Sequence, residues 1–141
     1  MCSPKTYIIA EVGVNHNGDI SIAKDLIKKA KESGADCVKF QTFKASQIVT
    51  KSAPKANYQL KVTDSKESQF EMLKKLELDF EAYLDLIKYC KEIEIDFLST
   101  PYNIEDLNFL ENLATKAKPF ATKDMADLLN YGYKLNINDI E

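Results

Sequence analysis

The sequence holds one histidine, three cysteines and four glycines, its charge is nearly balanced, and no apolar run approaches membrane-spanning length. Each shortage removes a class of function. His16 has no second histidine to share a metal with, so it reads as a turn residue held by hydrogen bonds. Cys2, Cys37 and Cys90 are too few and too widely spaced for a disulfide framework or a zinc pattern. Buried thiols in a reducing compartment are the expected state, with the cytoplasm as the location. Gly13 and Gly18 match neither the dinucleotide nor the Walker spacing. Ser99 lacks elbow glycines and a nearby histidine, which leaves a serine hydrolase unsupported.

With 19 basic against 22 acidic residues, the net charge of -3 argues for no nucleic-acid partner and no anionic membrane surface. Lysine pairs such as Lys28-Lys29 and Lys74-Lys75 are interleaved with acids and read as solvated helix faces. A membrane span takes about 20 apolar residues, which nothing here approaches. The start Met1-Cys2-Ser3-Pro4-Lys5 does not have the order of a signal peptide.

What is present is the composition of a globular domain, 45% hydrophobic and 29% charged over 141 residues. Tyr7 to Val14 predicts a first strand, nearly continuous in apolar residues and therefore expected to be covered on both faces. Asp19 or Ser21 caps a helix to about Ser33, and Gly34 closes it. Ala35 to Phe43 predicts the second strand, and residues 44–66 a long polar loop. A short helix over Ser68 to Leu76, a longer one capped by Asp79, a third strand over Ile95 to Ser99 and a helix restarting at Asn103 complete three strand-then-helix units. Residues 114–141 have no four-residue apolar run to make a fourth strand. Three parallel strands form either a small open sheet or the opening of a (β/α)8 barrel, and a whole barrel takes roughly 250 residues. Such a sheet leaves two unmatched edges, an aggregation hazard.

In parallel α/β folds, ligands bind beyond the carboxyl ends of the strands. The polar residues there are Glu11, Asn15 and His16 after the first strand, then Lys39, Gln41 and Thr42, then Ser99, Thr100 and Tyr102. Glu11 and Lys39 interrupt apolar strands, where an ionised group is costly unless paired or used. They suggest a mutual ion pair or an anionic ligand. A lysine suits phosphate or carboxylate as a point charge, and a glutamate could move a proton if burial raised its pKa. Phe70 and Phe80 read as packing residues, as does Tyr58.

Five segments in order carry a further signal: Ile8-Ile9-Ala10-Glu11-Val12-Gly13-Val14-Asn15-His16-Asn17-Gly18, Gly34-Ala35-Asp36-Cys37-Val38-Lys39-Phe40-Gln41-Thr42-Phe43, Ala53-Pro54-Lys55-Ala56-Asn57-Tyr58-Gln59, Met72-Leu73-Lys74-Lys75-Leu76-Glu77-Leu78 and Phe97-Leu98-Ser99-Thr100-Pro101-Tyr102. Together they resemble the bacterial N-acetylneuraminate (sialic acid) synthase family, which includes the legionaminic and pseudaminic acid synthases. The resemblance implies a (β/α)8 barrel, of which residues 1–113 would be the first three units. It also implies condensation of phosphoenolpyruvate with an N-acetylmannosamine-type sugar to give a nonulosonic acid and phosphate. A divalent metal, manganese or magnesium, activates the sugar aldehyde in that chemistry, water attacks the resulting cation, and phosphate leaves by C–O cleavage. Carried over to this chain, Lys39 resembles a phosphoenolpyruvate contact, Gln41 a sugar contact and Glu11 the carboxylate beside the reacting carbons. Asn15, Thr42, Ser99, Thr100 and Tyr102 form the possible supporting rim.

The chain departs from the family pattern after Leu113. The second lysine and the serine for phosphate, and the two metal-binding histidines of later strands, have no counterparts, so no metal ligand is assigned. Residues 114–141 faintly resemble the end of the family's antifreeze-like carboxy-terminal domain, as an internal deletion would produce. The expectation is an incomplete member, inactive alone and poorly able to form the family's homodimer. The alternative is a small non-catalytic α/β remnant or binding module.

Overall fold

The computed structural model describes residues 6–50 and 67–117. Its elements run in the order β1 (Ile9–Gly13), α1 (Ile20–Glu32), β2 (Cys37–Thr42), α2 (Ala45–Ile48), α3 (Gln69–Lys74), α4 (Phe80–Glu92), β3 (Asp96–Pro101) and α5 (Ile104–Ala117). The caps expected at Asp19 and Asp79 form, and a further one closes α3. The Asp19 carboxylate takes the N–H groups of Ser21 and Ile22 at 2.7 and 3.2 Å, satisfying donors that a helix start leaves free. Asp79 does the same for Ala82 at 2.8 Å, and Ser68 with Glu71 closes a capping box on α3.

One element was not legible locally. Within the predicted loop after β2, Ala45–Ile48 forms a short helix whose preceding residue, Lys44, makes no side-chain cap. Glu77 supplies the cap instead, accepting the Ala45 N–H at 2.8 Å from thirty-two residues away. The Ala53 to Gln59 segment and residues 118–141 lie outside the described residues, and α5 itself runs past Leu113 to Ala117.

The three strands form one parallel sheet in the order β1-β2-β3. Glu11 pairs with Lys39, Lys39 with Leu98, and Gln41 with Thr100. The register slips between Glu11 and Gly13, a bulge that bends β1 at its carboxyl end. Alternation then sorts the side chains. Val12, Val38, Phe40 and Phe97 face the helices, where they pack with Ala23, Ile27, Leu86, Ile87, Cys90, Leu110 and Leu113 in one core. Phe80 packs against this core and meets Phe109 edge-on at 5.6 Å.

Glu11, Lys39, Gln41 and Thr100 fall on the opposite face. This corrects the expectation that β1 is covered on both sides. Tyr7, Ile8 and Ile9 are 47%, 52% and 47% exposed, because the helices cover one face of the sheet and β1 is an edge. Cys37 and Cys90 are buried free thiols, and burial pushes the Cys37 thiol up to about 12. Among the described residues no helix is long and apolar enough to cross a membrane.

Candidate functional site

Among the described residues no helix covers the other face of the sheet, which collects the polar residues that its strands carry near their carboxyl ends. Glu11 on β1 stands directly opposite Lys39 on β2, and their side chains meet as an ion pair at 2.9 Å. The pair is not buried, contrary to the expectation from an apolar strand: the lysine and glutamate side chains are 35% and 46% exposed. A half-exposed pair contributes about 0–1 kcal/mol, so holding the fold together is a weak reason for placing these charges here.

Two strand positions on, the Gln41 carboxamide reaches the same place. A side-chain carbon at Gly13 would lie 3.3 Å from Glu11 Oε1 and 3.4 Å from Gln41 Nε2, so both groups border this one glycine. Tyr102, beyond the end of β3, donates its hydroxyl to Gln41 Oε1 at 2.9 Å. That bond fixes the amide so that its NH2 donors turn toward Gly13. Phe43 meets the Tyr102 ring edge-on at 5.7 Å. The face therefore presents one ammonium, one carboxylate and one oriented amide donor, all reachable from solvent. An anion arriving at Lys39 would exchange with Glu11 and leave that carboxylate free to act on whatever is bound.

The other rim residues divide. Thr100 lies on the open face with Gln41, its register partner. Asn15 is exposed in the turn after the bulge, where its N–H bonds to the Val12 carbonyl at 3.1 Å. Thr42 and Ser99 point the other way. They are 4% and 5% exposed, on the helix-covered side, and bond to each other at 2.6 Å. Strand alternation turns them away from Lys39 and Gln41 as firmly as it brings Glu11 in.

His16 is the hydrogen-bonded turn residue the sequence suggested, and the fold buries it. It is 1% exposed, accepts the Gly18 N–H on Nδ1 at 3.0 Å, and lies 5.8 Å from the Phe40 ring. Burial lowers its pKa, partly opposed by a backbone hydrogen bond at Gly13. With Nδ1 occupied and the ring enclosed, it is a poor metal ligand. No group of three His, Cys, Asp or Glu among the described residues is arranged to hold a metal ion. The donor set among the described residues does not by itself fit the divalent cation implied by the resemblance.

Sequence reading missed several residues that organise this region. Glu77 is nearly buried, takes the ammonium groups of Lys44 and Lys74 at 3.4 and 2.9 Å, and caps α2. Tyr83, read as an apolar helix position, is 2% exposed and donates its hydroxyl to the Gln41 carbonyl at 2.9 Å. Asp106, at the start of α5, is 3% exposed with one unpartnered carboxylate oxygen, and burial raises its pKa. It borders a cavity of about 170 Å³ with Phe43, Lys44, Leu78 and Phe109. Spacing along the chain carries no signal for these roles, since each depends on a partner in another element.

Comparison with known proteins places this geometry in context. Residues 26–133 match the sequence model of the family described as NeuB. The chain is 49% identical over 124 residues to N,N'-diacetyllegionaminic acid synthase of Campylobacter jejuni, covering 88% of this chain and 37% of that protein. It is 48% identical over 110 residues to the enzyme of the same name from Legionella pneumophila, covering 78% of this chain and 31% of that one. Among solved structures, the N-acetylneuraminic acid (sialic acid) synthetase of Leptospira borgpetersenii superimposes with a TM-score of 0.57 at 27% identity, covering 76% of this chain and 33% of that one. The chain thus spans about a third of the length of the curated relatives it matches.

Proposed function

This chain belongs to the NeuB family, and we propose that its open sheet face is the phosphoenolpyruvate side of a nonulosonic acid synthase site. The relatives named for legionaminic and sialic acid synthesis support that reading. The observation that carries it is the Glu11–Lys39 pair beside the Gln41 amide, on a face of the parallel sheet that no described helix covers. Parallel sheets are normally covered on both faces. In this reading the three β/α units are the first of a (β/α)8 barrel, and the open face is part of its interior.

The chemistry assigned to the face is condensation of phosphoenolpyruvate with an N-acetylmannosamine-type sugar, in the cytoplasm. Lys39 holds a phosphate or carboxylate oxygen of phosphoenolpyruvate as a point charge. Gln41, oriented by Tyr102, donates to a sugar oxygen. Glu11, released from Lys39 by the bound anion, stands beside the reacting carbons and takes or gives a proton there. No step is assigned through a metal, because the donors among the described residues do not make a site for one.

The described residues supply the anion side of such a site and no holder for the sugar-activating cation. The chain alone is therefore proposed to bind phosphoenolpyruvate without turning it over. Isothermal titration with phosphoenolpyruvate, beside a phosphate-release assay with N-acetylmannosamine and manganese, tests both parts. Saturable binding lost in Lys39→Met with no phosphate release is expected. Absence of binding would remove the reading of the face, and sustained phosphate release would remove the claim of inactivity.

A further inference from the structure

The covered side of the sheet, directly behind Gln41, holds a buried run of hydroxyls whose hydrogen-bond direction can be deduced. Tyr83 Oη lies 2.9 Å from the Gln41 carbonyl and 3.0 Å from Thr42 Oγ1, and Thr42 Oγ1 lies 2.6 Å from Ser99 Oγ. A carbonyl can only accept, and each hydroxyl has one hydrogen to give. The Tyr83 hydrogen is therefore committed to Gln41, the Thr42 hydrogen to Tyr83, and the Ser99 hydrogen to Thr42. The order is Ser99 to Thr42 to Tyr83 to the Gln41 carbonyl, with every hydroxyl hydrogen used once.

Such a run polarises in one direction, strengthening its last bond, and in a buried site a broken link leaves an unsatisfied group. The Tyr83 ring is held rigidly at the other end, 6.2 Å from Phe97 and 5.5 Å from Phe109, edge-on to both. A phenol is protonated at neutral pH and so able to donate, and burial raises the pKa of Tyr83 further.

We infer that Tyr83, Thr42 and Ser99 are positioning residues, a three-hydroxyl relay across α4, β2 and β3 that fixes the Gln41 backbone and so aims the Gln41 amide on the open face. The functional meaning rests on the proposed role of Gln41 as a substrate contact, while the relay itself rests on the geometry. None of the three touches the open face. The relay explains why a threonine and a serine occupy core positions where valine and alanine would pack without needing partners.

The test uses the full chain, labelled with nitrogen-15, and reads the side-chain NH2 resonances of Gln41 together with N-acetylmannosamine affinity. Thr42→Val keeps the side-chain shape and breaks the relay, whereas Thr42→Ser keeps the relay and loses a methyl group. Packing alone would disturb Thr42→Ser at least as much. The expected result is the reverse: Thr42→Val shifts the Gln41 NH2 pair and weakens N-acetylmannosamine several-fold, while Thr42→Ser stays close to wild type in both. Tyr83→Phe should match Thr42→Val. Tyr89→Phe, which removes a hydroxyl outside the relay, should change neither.

Gln41 resonances that are unmoved in Thr42→Val, or moved equally in Thr42→Ser, would overturn the inference. If Tyr83→Phe does not fold, the two Thr42 variants decide. A wild-type chain that ignores N-acetylmannosamine would defeat the proposed role of Gln41, and the Gln41 resonances would still judge the relay.

Discussion

Replacing Gly18 by alanine tests whether the turn after Glu11 is locked against the rest of the fold. Gly18 has φ +76°, in the left-handed region, and a Cβ there would lie 2.1 Å from the Lys75 carbonyl oxygen. That is more than an ångström short of ordinary contact, and the obstacle is backbone, which cannot rotate away. Gly34 is the internal control. Its φ of +86° is equally left-handed, yet a Cβ there meets nothing within 4 Å. Gly34→Ala should therefore show the dihedral cost alone, about 1–2 kcal/mol, reduced by the stiffer unfolded chain by roughly 0.4–1 kcal/mol. Gly18→Ala adds overpacking, typically about 1–3 kcal/mol, because the turn must separate from Lys75 and disturb the Gly18 N–H bond to His16. The expected total is about 3 kcal/mol for Gly18→Ala against about 1 kcal/mol for Gly34→Ala, a large part of a domain's typical margin. Urea unfolding followed by circular dichroism measures both. Equal losses in the two variants would refute the close approach and, with it, the rigid placement of the turn.

Three further outcomes are expected. Lys39→Met should reduce phosphoenolpyruvate affinity at least tenfold, about 1.4 kcal/mol, while urea stability changes by less than about 1 kcal/mol because the ion pair is half exposed; a large stability loss would make the pair structural. Burial lowers the folded-state pKa of His16 below its ordinary 6.5, so its contribution is complete above that pH and is lost as pH falls from 6.5 through the folded value. Unfolding curves from pH 7 to 5 should show this loss in the wild type and a flatter profile in His16→Gln, and parallel profiles would contradict it. Glu94 sits at φ +57° just past α4, where glycine is the favoured residue. Glu94→Gly should stabilise by about 1 kcal/mol and raise the melting temperature by roughly 3 °C in a thermal scan, since the carbonyl that accepts Lys31 Nζ is retained.

The legible parts of this chain are those fixed by neighbours in sequence. Asp19, Ser68 with Glu71, and Asp79 mark helix starts because a cap acts over two or three residues. The Glu11 and Lys39 charges could be picked out because both interrupt apolar strands, and their pairing follows once the strands are parallel neighbours. The helix at Ala45 was hidden because its cap, Glu77, is remote. Thr42 was grouped with Gln41 because both end the same strand, although adjacent strand residues face opposite sides.

By itself, then, the sequence determined the three strand-then-helix units, the helix caps, the polar strand ends and the family. Only the tertiary structure decided which of those ends share a face, that the Glu11–Lys39 pair is open to solvent, and that Tyr83 on α4 reaches the Gln41 carbonyl. The physical reason is range. Caps and periodicity are set by bonds across a few residues, whereas burial and side-chain partnership depend on packing between elements far apart in the chain.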